Sequence, residues 1–78
     1  MNQNTVLTEQ IIGCAIEVHR NLGPGLLESI YEKALCHEFN ARGMRYECQK
    51  IIPIIYKNIN LGDFRLDLLI EDRIIVEL

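Results

Sequence analysis

Phe64-Arg65-Leu66-Asp67-Leu68-Leu69-Ile70-Glu71-Asp72-Arg73-Ile74-Ile75-Val76-Glu77-Leu78 is the stretch whose reading decides the fold. Phe64 to Ile70 and Arg73 to Leu78 are runs of strand-forming residues on either side of Glu71-Asp72, which reads as a hairpin. Each run carries one carboxylate, Asp67 and Glu77, at a place where an apolar strand disfavours it. The link between the runs sets their relation. A two-residue link pairs Ile70 with Arg73 and Asp67 with Val76, so Asp67 and Glu77 face opposite sides. A three-residue link, Glu71-Asp72-Arg73, pairs Ile70 with Ile74 and sets Asp67 across from Glu77. No Asn-Gly or Asp-Gly pair marks a two-residue turn here, and a bulge in either strand also restores the shared face.

The period of the apolar residues changes upstream. Met44, Tyr46 and Cys48 alternate with Arg45, Glu47 and Gln49, and Ile51 to Tyr56 is a second extended run. Pro53 donates nothing to a ladder, so that run is expected at a sheet edge or around a bulge. Lys57-Asn58-Ile59-Asn60 and Gly62-Asp63 read as turns. Before Gly43 the spacing is helical. Leu7, Ile11, Cys14, Ala15, Val18 and Leu22 form one stripe, with Asn4 or Thr5 as its cap and Gly23-Pro24-Gly25 as its stop. Leu27, Ile30, Tyr31, Ala34, Leu35, Glu38 and Phe39 form another, from about Leu26 to Arg42, with Gly43 as the residue after its C-cap. Two helices followed by strands predict an α+β fold, with a mixed or antiparallel sheet.

Composition bounds the function. Residues 1–78 make at most one domain, and 49% of them are hydrophobic, more than so short a chain easily buries. The formal net charge of −3 gives no basic excess of the kind that phosphate binding favours, so composition by itself gives no support for a nucleic-acid partner. Cys14, Cys36 and Cys48 lie too far apart for a zinc site and read as reduced, buried thiols, which fits a cytoplasmic location. No apolar run approaches a membrane span, and MNQNTVLTEQ lacks the features of a signal peptide.

Several polar residues are candidates for chemistry. Asp67 and Glu77, set opposite each other, would repel unless one protonates or a cation lies between them, and such oxygen ligands suit Mg²⁺ or Mn²⁺. The plainer readings are an Asp67 paired with Arg65 or facing water, and a solvent-facing Glu77. Glu28 stands at the start of the second helix, where an acid suits the dipole. His19 stands near the end of the first, where a partly protonated imidazole does the same. Tyr31 reads as core, and Gln49 as a residue on the polar face of its strand; His19, Tyr31 and Gln49 are kept as candidates for substrate contact.

Gly25-Leu26-Leu27-Glu28-Ser29-Ile30-Tyr31 spells GxxExxY. It follows Ile11-Ile12-Gly13, Val18-His19-Arg20 and Leu22-Gly23-Pro24, and precedes Tyr46-Glu47-Cys48-Gln49-Lys50 and Gly62-Asp63-Phe64-Arg65-Leu66-Asp67. The ordered set resembles the GxxExxY proteins of the PD-(D/E)XK nuclease superfamily over essentially the whole chain. The resemblance implies a restriction-endonuclease-like core and metal-dependent phosphodiester hydrolysis, with nucleic acid as the partner. It places the catalytic acids on Asp67 and Glu77 and the metal ligands on Glu28, Asp67 and Glu77. It also places the lysine of the E-x-K triplet immediately after Leu78, with a further helix and strand beyond. On that reading residues 1–78 are the N-terminal part of one domain, expected to lack turnover and to self-associate, or to take a partner, at an uncovered sheet edge. The alternative is a non-catalytic interaction module using that edge; a small structural protein without a ligand is a third.

Overall fold

A computed structural model describes residues 3–78, and the chain runs helix, helix, strand, strand, strand. The elements are α1 (Gln3–Leu22), α2 (Glu28–Ala41), β1 (Tyr46–Tyr56), β2 (Ile59–Ile70) and β3 (Ile74–Val76). They fall into two compact units: the helices up to Arg45 together with Leu78, and Tyr46–Glu77. This is the expected α+β class, and the sheet is antiparallel throughout. No helix among the described residues is long and apolar enough to cross a membrane.

In the helical unit α1 and α2 pack on each other. Leu7, Ile11, Cys14 and Val18 are buried on α1, as are Leu35 and Phe39 on α2. Both stripes are narrower than the spacing predicts, since Leu22, Leu27 and Ile30 are exposed. Gly13 sits in mid-helix, where a Cβ would come within 3.2 Å of the Arg42 guanidinium. Helix ends follow from glycine. Gly23, at φ 71°, donates to the His19 carbonyl at 2.8 Å and closes α1. Gly43, at φ 69°, closes α2 in a Schellman motif: Met44 N–H donates to Phe39 O at 2.9 Å and Gly43 N–H to Asn40 O at 3.1 Å. Met44 therefore belongs to the helix end, and the first strand begins at Tyr46. At the N-terminus, Asn4 and Thr5 lie inside α1 and not at its cap, since the helix already runs from Gln3 and the Thr8 hydroxyl donates to the Asn4 carbonyl at 2.8 Å. The second helix starts at Glu28, with the extended Leu27 before it.

In the sheet unit the order is β1-β2-β3. The two extended runs around Gln49 and Ile51 form one strand, and Pro53 lies on it at the sheet edge. Lys57 and Asn58, at φ 47° and 67°, make the two-residue turn between Tyr56 and Ile59. Asn60, Gly62 and Asp63 are strand residues and not a second turn. The register shifts between Ile54 and Ile55, which leaves Leu61 as an extra residue opposite them. Gly62, at φ 133°, takes the distortion and donates its N–H to Asn60 Oδ1 at 2.8 Å. Turn chemistry at these positions produces a bulge because Lys57-Asn58 has already reversed the chain. Leu66, Leu68 and Ile70 are buried on one face of β2; Cys48 is exposed and Cys36 half-buried, so only Cys14 is a buried thiol.

Candidate functional site

The hairpin between β2 and β3 has the three-residue link. Leu68 pairs with Val76, Leu69 with Ile75 and Ile70 with Ile74. Glu71 and Asp72 adopt φ of 52° and 54°, and Arg73 N–H donates to Ile70 O at 3.0 Å. One further step along this register sets Asp67 across from Glu77, the residue just past the end of β3. Directly opposed Cβ atoms in an antiparallel pair lie about 4.5–5.5 Å apart. Both carboxylates occupy the face opposite the buried Leu66, Leu68 and Ile70. Asp67 is half-buried and Glu77 exposed.

The pair behaves electrostatically as a unit. The Glu77 carboxyl is held above its ordinary range by loss of hydration first, then by the neighbouring Asp67 charge, and then by a side-chain hydrogen bond with Asp67. Glu77 as a residue is exposed, so that loss of hydration is partial. A hydrogen bond between two carboxyls requires a proton on one of them. A divalent cation can take the place of that proton. The donor set is oxygen-only, which fits Mg²⁺ or Mn²⁺, ions that are commonly held by one or two carboxylates and keep several waters. Among the described residues no group of three or more His, Cys, Asp or Glu side chains is placed to hold a metal ion, so the structure brings together an acid pair and not a complete ligand cage.

The third strand extends this row. Cys48 pairs with Leu68 and Lys50 with Leu66, which sets Gln49 across from Asp67. Gln49 has φ 54°, the left-handed region, in the middle of a strand. Its side-chain oxygen accepts from Arg65 Nη1 at 3.4 Å, and Arg65 stands two residues before Asp67 on the same face. Gln49, Asp67 and Glu77 thus lie in line across β1, β2 and β3, with Arg65 beside them.

The other sequence candidates have separate places in the helical unit. Glu28 is the acid in the first turn of α2. The Tyr31 hydroxyl donates to Gly23 O at 2.6 Å and accepts from Leu26 N–H at 3.1 Å, so it ties down the loop between the helices. Gly25, at φ 91°, is the loop residue that needs glycine's freedom. His19 lies in the last turn of α1 and lines an apolar groove of about 410 Å³ with Ala15, Val18, Tyr31, Leu35 and Leu78. The sequence did not disclose the Arg65–Gln49 contact. Strand alternation puts the two on one face, but a positive φ at glutamine has no local signature.

Against known proteins, the family model described as the PD-(D/E)XK nuclease superfamily matches residues 5–78. No curated protein and no solved structure matches the chain significantly.

Proposed function

The chain belongs to the PD-(D/E)XK nuclease superfamily, and from that premise we propose that Asp67 and Glu77 are the acid pair of a divalent-cation-dependent phosphodiester-hydrolysing site acting on nucleic acid. The observation that carries the reading is the cross-strand carboxyl pair itself, which the register sets on one face of the sheet. Superfamily membership supports the nuclease-like kind; the cation, the substrate and the residue roles are the proposal. Mg²⁺ or Mn²⁺, when bound, supplies an activated water and charge neutralisation at the phosphate. Asp67 and Glu77 would hold that ion through carboxylate oxygens, and the raised Glu77 carboxyl would give up any proton it carries. Glu28 enters the proposal on the family resemblance. The lysine which that resemblance expects after Leu78 would orient or deprotonate the water. Cysteines outside any disulfide accord with a cytoplasmic setting.

Isothermal titration with Mn²⁺ tests the reading. The unmodified chain should take up the ion with proton release, and Asp67→Ala should remove the binding; equal binding by the variant refutes the acid pair. A second reading, strand addition by another chain, is favoured by the place of β3 at the sheet edge and by the exposed Ile75. It predicts concentration-dependent association that Ile75→Lys abolishes and Asp67→Ala leaves intact.

A further inference from the structure

We infer that Arg65, oriented by Gln49, is the phosphate-holding group of the site: it receives the non-bridging oxygens of a nucleic-acid strand beside the acid pair. The inference rests on the reading of Asp67 and Glu77 given above and adds to it the group that meets the substrate.

Three observations carry it. Arg65 is exposed and sits on the same sheet face as Asp67, two residues away. Its partner is the carboxamide oxygen of Gln49, at 3.4 Å. A neutral acceptor orients a guanidinium without cancelling its charge. Arg20, Arg42 and Lys50 differ in this respect, since each is paired with a carboxylate three or four residues away: Glu17, Glu38 and Glu47. One contact to Gln49 engages Nη1 and leaves further N–H donors in the plane, and a guanidinium fork matches phosphate oxygens bidentately. Finally, Gln49 adopts φ 54° inside a strand, a conformation that a side chain disfavours and that persists only where something else is gained. It does so directly across from Asp67, at the point where the row of site residues crosses β1. The geometry sets a cation next to two acids on one face. There the guanidinium would hold a phosphate whose charge an ion on the acid pair would also neutralise.

The alternative is that the Arg65–Gln49 contact merely ties β1 to β2. The two readings separate in binding of a fluorescent single-stranded oligodeoxynucleotide, followed by anisotropy in Mn²⁺ over a range of salt. Arg65→Gln should weaken binding about tenfold and reduce the salt slope by about one. Arg65→Lys should keep the slope without restoring the affinity, because a point charge lacks the fork. Gln49→Gly should weaken binding with an unchanged slope while raising the melting temperature, since it frees the strand of its positive φ. A structural tie predicts the opposite pair for Gln49→Gly: lower stability and unchanged binding. Unchanged affinity and slope in a folded Arg65→Gln chain overturn the inference. So does failure of the unmodified chain to bind the oligonucleotide. Mn²⁺ uptake that Asp67→Ala still abolishes would then leave the acid pair standing and remove only the phosphate-holding role. Loss of that Mn²⁺ dependence would instead remove the acid pair.

Discussion

Removing one oxygen atom from Tyr31 is expected to loosen the helical unit without touching the acid pair. In Tyr31→Phe the ring stays, and the lost hydroxyl deprives Gly23 O of a donor at 2.6 Å and Leu26 N–H of an acceptor at 3.1 Å. A typical intramolecular hydrogen bond contributes about 0.5–1.5 kcal/mol net, so two bound the effect at about 1–3 kcal/mol. Leu26 is exposed, and water can satisfy its N–H, whereas Gly23 is half-buried. The lower half of that range, about 1–2 kcal/mol, is the expectation. For a domain of this length each kcal/mol moves the melting temperature by about 4–8 °C, so Tyr31→Phe should melt about 5–15 °C below the unmodified chain. Thermal and urea unfolding by far-ultraviolet circular dichroism, with Mn²⁺ titration of the same samples, reads both quantities. A melting point within about 1 °C of the unmodified chain, together with weakened Mn²⁺ or oligonucleotide binding, would refute the loop-tying role and move Tyr31 into the substrate site.

Two further outcomes follow from ionisation. Because folding raises the Glu77 pKa above its ordinary value of 4.5, the folded chain binds more protons than the unfolded one just above that value. Stability should therefore fall as pH rises from about 4.5 through the raised Glu77 pKa, Glu77→Gln should flatten that slope in urea melts across pH, and Mn²⁺ affinity should rise over the same window. Cys48 is exposed, whereas burial pushes the Cys14 thiol up against the smaller lowering effect of Arg42, so alkylation followed by mass spectrometry should label Cys48 in the native chain and Cys14 only after unfolding.

Much of the fold was legible because it rests on local chemistry. Gly43 ends α2 by the one conformation that glycine adopts freely, and Pro53 lies on an edge strand because it has no N–H to give. The acid pair was legible by parity: side chains alternate along a strand, so in strands without a bulge the length of the link decides whether Asp67 and Glu77 share a face. What escaped was competition between signals of equal strength. Asn60 and Gly62-Asp63 carry turn chemistry as good as that of Lys57-Asn58, but a hairpin turns only once, and the surplus appears as a bulge. Asn4 and Thr5 are good caps, yet α1 already includes Gln3. The left-handed Gln49 could not be read, since nothing in its neighbours marks it.

The distribution of strained backbone ties these elements together. Among the described residues five non-glycine residues have positive φ, and Lys57 and Asn58 account for themselves as an ordinary two-residue hairpin turn. The remaining three are Gln49, Glu71 and Asp72. Glu71 and Asp72 form the link whose length fixes the Asp67–Glu77 register, and Gln49 lies across from Asp67 in the same row. Left-handed conformation costs an L-residue about 1–2 kcal/mol, a large fraction of what a small domain has in reserve. Glu71 and Asp72 lie in a tight hairpin link, where left-handed residues are ordinary, whereas Gln49 lies within a strand. A link one residue shorter, with an Asp-Gly turn, would still pair two apolar strands, but it would turn Glu77 to the opposite face from Asp67. The link sets the register that places Asp67 and Glu77 on one face, and the left-handed Gln49 stands across from Asp67 in the same row.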